Sequence, residues 1–217
     1  MKRLILLGGL LAFGLTAACD QVRADQLALT TVGNNIYQGY FVGPYTAQDG
    51  NQTLSVICDD FSTTVSQGWK WTASPVSFSD PNFLKDVKFG GVSTNLTGYS
   101  AMIDYFAAAY LAQQIMQNLN NPGAVDELSF ALWGIFSTVA RGEMDANSWS
   151  DYTGALIYAS KHNSPSYYSN VEFWVPNPSG SSQEYITILA TPEPSKWLLL
   201  LCGTLLLVAI KVKHLIV

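Results

Sequence analysis

The side chains that most often carry catalysis are scarce in this sequence. Its 217 residues include two histidines and three cysteines. His214 lies close to the C-terminal end, and His162 stands alone in a polar Lys-His-Asn-Ser-Pro loop. A lone loop histidine is more simply a solvated side chain than a base. Cys19 and Cys202 fall in the two apolar ends, so Cys58 has no cysteine within its own domain to pair with. No Ser-His-Asp elbow, zinc-ligand spacing or phosphate-cradling glycine loop occurs. The expectation is a protein that is not an enzyme, with no catalytic residues, no metal and no cofactor.

Positive charge is equally thin. Between Asp25 and Ser195, five Lys and Arg face fifteen Asp and Glu, ten negative charges in excess. Such a surface repels phosphate backbones, which excludes nucleic acid as an expected partner. Long hydrophobic runs are confined to the ends. Aromatic residues, at 12%, match the charged ones in number, which suits a globular chain rather than a disordered one. The length suits one domain.

The ends read as addresses. Met1-Lys2-Arg3 is a basic n-region, Leu4 to Ala18 is apolar, and small residues precede Asp25. Residues 1–24 are therefore expected to be a signal peptide, with Ala17-Ala18-Cys19 as an alternative cleavage site. The ectodomain is expected over 25–190 and a sorting tail over 191–217. In the tail, an apolar run covers 197–210, fourteen residues, with Lys211-Val212-Lys213-His214 behind it. As a helix it spans about 21 Å, short of a roughly 30 Å bilayer core. Snorkelling lysines and an interfacial Trp197 make up the difference. The expectation is a C-terminal transmembrane helix anchored by Trp197, Lys211 and Lys213, with the lysines cytoplasmic and the ectodomain outside.

Pro192-Glu193-Pro194-Ser195, the short apolar run and the basic end together resemble the PEP-CTERM sorting signal of Gram-negative bacteria that make exopolysaccharide. The resemblance covers about the last 27 residues. It implies an exosortase and the export machinery as partners. It also implies an ectodomain held first at the inner membrane, facing the periplasm. Cleavage near the motif would then deliver it to the cell surface or the extracellular biofilm matrix. The Lys-Val-Lys-His tail departs from the arginine cluster that is more usual there.

Between the ends, period-two patterning predicts strands at 35–42, 52–57 and around Trp69-Lys70-Trp71. Asp49-Gly50 marks a hairpin turn. Residues 78–95 read as irregular. Three- and four-residue spacing predicts helices over 101–119 and 125–139, and a weaker one over 148–160. Strands return at 171–175 and 184–190. The fold class expected is α+β: a β-rich ectodomain with a two- to three-helix insertion, plus the C-terminal transmembrane helix.

Cys58-Asp59-Asp60 is the densest polar cluster. Adjacent carboxylates could serve a hard cation, but strand neighbours point to opposite faces, so a turn after a strand is the simpler reading. Two carboxylates beside a thiol also disfavour the thiolate. Val56-Ile57-Cys58-Asp59-Asp60, Ala107-Ala108-Ala109-Tyr110-Leu111 and Leu128-Ser129-Phe130-Ala131-Leu132-Trp133 are similar to the thioester domains of bacterial surface adhesins. Those join a strand cysteine to a glutamine four residues before a tryptophan. Cys58 and Trp133 match, but Ser129 stands at the glutamine position and offers no carboxamide. Gln113, Gln114 and Gln117 match no motif. Tyr167-Tyr168 and Phe173-Trp174 form a candidate sugar-stacking platform. The function expected is a non-enzymatic envelope or matrix protein that binds exopolysaccharide or surface proteins. The alternatives are a covalent adhesin using Cys58, as a reactive rather than structural thiol, or an unrecognised secreted hydrolase.

Overall fold

Alternation of apolar and polar residues lays down the first strand: in Asp25–Thr31 (β1), Leu27 and Leu29 are buried while Gln26 and Thr30 face solvent. The computed structural model describes residues 25–91 and 96–190. Ile36–Tyr37 (β2) and Tyr40–Phe41 (β3) pair as a small separate hairpin. Its turn has left-handed φ at both central residues, 51° at Gln38 and 85° at Gly39, as a type I′ turn requires. Tyr45–Asp49 (β4) and Gln52–Cys58 (β5) follow, then Lys70–Ser77 (β6). Val171–Pro176 (β7) and Tyr185–Ile188 (β8) come late in the chain.

Six of these strands close into an antiparallel barrel in the order β1-β4-β5-β8-β7-β6, with β6 returning to β1. Closure leaves no edge strand in that sheet. The barrel interior is a small core of its own. Leu27, Leu29, Ala47, Leu54, Val56 and Cys58 point inward, capped by Trp71, Trp174, Tyr45 and Tyr185.

Among the described residues, five helices separate β6 from β7: Phe83–Asp86 (α1), Ala101–Gln117 (α2), Pro122–Phe136 (α3), Thr138–Gly142 (α4) and Ala146–Lys161 (α5). A 3₁₀ turn, Pro165–Tyr168, leads into β7. The Ser100, Asn121 and Asp145 side chains each accept a backbone N–H of the first turn they cap, and Pro122 opens α3 where its missing N–H is no loss. Ala107, Ala108, Ala109 and Ala112 are fully buried, small enough for α2 to lie between α3, α5 and the barrel wall. The second, larger core fills that space. Ile57, Phe173 and Ile186 reach it from the outer barrel face, and Phe106, Phe130 and Leu132 from the helices.

The α+β expectation of a β-rich domain with two or three inserted helices is therefore corrected. The described residues form a closed six-stranded barrel and five helices, with α1 and α2 against its strands and α3 and α5 packed on α2. Closure depends on β1 bonding to both β4 and β6, and no local pattern announces that pairing. The expected transmembrane helix is corrected too. Among the described residues no helix is long and apolar enough to cross a membrane. The signal peptide over 1–24, the Pro192–Ser195 motif, the run over 197–210, and Trp197, Lys211 and Lys213 all lie outside the described residues. Two smaller differences have clear causes. The expected strand over 35–42 doubles back at Gln38-Gly39. The expected helix over 125–139 breaks at Ser137, whose extended backbone ends α3 and whose hydroxyl caps α4. Val139, the last residue of that expected helix, is 63% exposed.

Candidate functional site

One end of the barrel gathers the sequence's polar cluster. It is the end where β1 and β5 finish and where β4 and β8 begin. Cys58 closes β5 opposite Tyr185 and is 4% exposed. Its Sγ donates to Asp60 O at 3.2 Å, and its own carbonyl accepts from Trp133 Nε1 at 2.9 Å. The tryptophan thus ties α3 to the barrel rim. Burial pushes the Cys58 thiol up, and the Asp59 and Asp60 carboxylates push it further. The thiol is held neutral.

The two aspartates diverge. Asp60 Oδ1 accepts from the N–H groups of Ser62 and Thr63, at 3.0 and 3.3 Å, and Oδ2 contacts Lys88 Nζ. Asp59 turns instead toward Glu184, which sits just before β8. Both are fully buried. Glu184 Oε2 accepts from Lys88 N–H at 2.7 Å and Oε1 from the Tyr105 hydroxyl at 2.8 Å. Among the described residues, no N–H or O–H reaches either Asp59 oxygen. The Asp59–Glu184 contact becomes a hydrogen bond only when one of the two carboxyls carries a proton. Burial pushes both acids up, and Asp59 well up because the Glu184 charge adds to the cost of ionising it. Among the described residues no group of three or more His, Cys, Asp or Glu is arranged to hold a metal ion.

Above this layer lies a cleft of about 340 Å³. Tyr40 and Phe41 of the hairpin overhang it, 39% and 45% exposed, and Phe61 and Trp133 form its wall. Ring centroids lie 4.9 Å apart for Tyr40–Phe61 and 5.4 Å for Phe61–Trp133. Thr63, Thr64 and Gln183 supply polar groups at the floor and rim. The hairpin's rigidity comes from below: Tyr37 and Tyr40 rings meet Phe130 edge-on, and the Tyr37 hydroxyl donates to Asp145 Oδ2 at 3.0 Å.

The structure relocates several residues singled out from the sequence. Tyr168, Phe173 and Trp174 are buried, so the expected sugar platform is core, and only Tyr167 is exposed. His162 ends α5: its N–H bonds Tyr158 O, and its ring stacks on Tyr158 at 4.0 Å. It borders a wider groove of about 540 Å³ between Tyr110 and Lys161, lined also by Ser150 and Asp151. Ser129 Oγ donates to Val125 O at 2.7 Å and accepts from Gly43 N–H at 3.2 Å. It locks α3 to the chain before β4. Gln113 bonds Asn170 and Gln114 bonds Gln117, away from Cys58.

Lys88, Gln183 and Glu184 belong to the site and were not read from the sequence. Gln183 Nε2 donates to Asp60 O at 3.2 Å, the same oxygen that Cys58 Sγ approaches, and its Oε1 accepts from the Tyr185 hydroxyl at 2.9 Å. No local pattern marks them: Gln183-Glu184 follows Gly180-Ser181-Ser182, and Lys88 follows Lys85-Asp86. No family model, no curated protein and no solved structure matches this chain.

Proposed function

We propose that the chain is an exported, non-enzymatic surface or matrix protein that binds glycans in the aromatic cleft. The observation that carries this reading is the exposure of Tyr40 and Phe41 on a rigid I′ hairpin above a cleft with hydroxyl and amide groups. Aromatic faces pack against the C–H faces of sugar rings, and neutral hydroxyl and amide groups meet sugar hydroxyls. The PEP-CTERM resemblance of the tail supports delivery to a polysaccharide-rich cell surface through an exosortase. The thiol held neutral under the cleft supports a binding role over a nucleophilic one.

Calorimetric titration of the purified protein with a panel of neutral oligosaccharides tests the proposal. Binding is expected, and Tyr40→Ala and Phe41→Ala are each expected to weaken it by about tenfold, the loss of one stacked ring. Silence across the panel, or variants that bind as well as the parent, would sink the assignment.

A second reading, the covalent adhesin, draws on the Asp60 carbonyl that Cys58 and Gln183 share. Attack of Cys58 on the Gln183 carboxamide would expel ammonia, about 17 Da, and Cys58→Ala would restore that mass. Against it, every polar atom of the Gln183 side chain already has a partner.

A further inference from the structure

Lys88 and Asp60 meet in a setting built for more than an ion pair. Asp60 is 1% exposed and Lys88 16%. Asp60 Oδ1 is held by two backbone N–H groups, those of Ser62 and Thr63. That is the arrangement which stabilises an oxyanion in acyl transfer. Asp60 Oδ2 faces Lys88 Nζ, whose other contacts are Thr63 Oγ1 at 3.0 Å and Ser182 O at 3.3 Å. Beside them lies the buried Asp59–Glu184 pair, with Glu184 bonded to the backbone N–H of Lys88 itself. Burial raises both acids of that pair, and the Lys88 charge works against the rise.

We propose that Lys88 Nζ and Asp60 Cγ condense into an intramolecular amide, an isopeptide bond beneath the cleft. The ammonium first gives a proton to Oδ2, which makes a neutral amine and a neutral acid. The amine lone pair forms the N–C bond, and the C=O electron pair moves onto Oδ1, between the Ser62 and Thr63 N–H groups. Collapse restores the C=O bond and breaks Cγ–Oδ2. The second proton passes directly from Nζ to Oδ2, which are in contact. Oδ2 leaves as water with both protons, and Nζ keeps one for Thr63 Oγ1 or Ser182 O. One positive and one negative charge disappear together, and no oxidant, metal or cofactor is consumed. Two forces favour the bond. The groups are held in contact, which replaces a bimolecular encounter. The amide also removes two charges whose desolvation the ion pair must otherwise bear.

Peptide mapping of the purified full chain, unfolded and digested, decides the matter. The expected result is a branched peptide joining Cys58-Asp59-Asp60 to Lys88, lighter by one water, about 18 Da, than its two parts. Lys88→Arg keeps the charge and lacks the amine, so it is expected to yield the two peptides separately at full mass. Unlinked, unmodified Asp60 and Lys88 peptides from the wild-type protein would overturn the proposal. So would a water loss that maps elsewhere, such as a succinimide at Asp49-Gly50.

Discussion

Asp59 is the residue under most strain of charge. Both its oxygens are buried and reached by no donor among the described residues, with Glu184 as the facing group. Its folded-state acidity is therefore weakened, and the folded protein holds a proton that the unfolded chain releases. Stability from this source is complete below the unfolded carboxylate pKa, about 3.9, and is lost as pH rises toward the folded value. Asp59→Asn supplies a permanent donor to Glu184 and removes the ionisation. It should flatten the pH dependence and stabilise the fold at high pH by about 1–3 kcal/mol. Urea unfolding at about pH 5 and about pH 8 measures this. A wild-type protein that gains stability between those values, or an Asn variant weaker at both, would refute the shared-proton account.

At the scale of elements, the β2–β3 hairpin joins fold to function. Gly39 has φ of 85°, and a Cβ built there meets nothing within 4 Å. Gly39→Ala thus costs only the left-handed backbone conformation, about 1 kcal/mol, and spends it locally. Glycan affinity should fall several-fold while the barrel's thermal midpoint stays within about 2 °C of the parent. An unchanged affinity would detach the hairpin from the site. The hairpin also shows what could be read in advance. Ile36, Tyr37, Tyr40 and Phe41 give a β pattern, but Gln38 at positive φ is not a strong turn signal, so two strands read as one. The three- and four-residue steps of apolar residues made α2, α3 and α5 legible as helices, although α2 and α3 are buried over consecutive residues and not along one stripe. β1 was not legible, because Asp25-Gln26-Leu27-Ala28-Leu29 has no β-branched residue and no turn signal before it. In β7 both faces are covered, by the barrel interior at Trp174 and by helices at Phe173, so alternation could not show which aromatics are free. The site itself was half legible. Cys58-Asp59-Asp60 is contiguous, but Lys88 and Glu184 join it only through β8 pairing to β5 and the turn after α1.

The whole molecule sets the sign of its ligand. The stretch from Asp25 to Ser195 carries ten negative charges in excess. Among the described residues, Asp60 is the one carboxylate that lines the cleft, and it is already engaged by Lys88. The cleft therefore offers no cation to an acidic sugar, while the surrounding surface repels it over the Debye length of about 10 Å at 0.1 M salt. Neutral glycans escape that repulsion because stacking and hydroxyl contacts carry no net charge. With neutral and uronate-bearing oligosaccharides of equal length, the neutral ligand should bind at least about tenfold tighter in low salt. Raising salt should narrow the gap by strengthening the acidic ligand's binding, with the neutral ligand's affinity nearly constant. Tighter binding of the acidic ligand, weakened by salt, would mean that a basic surface outside this cleft does the recognising.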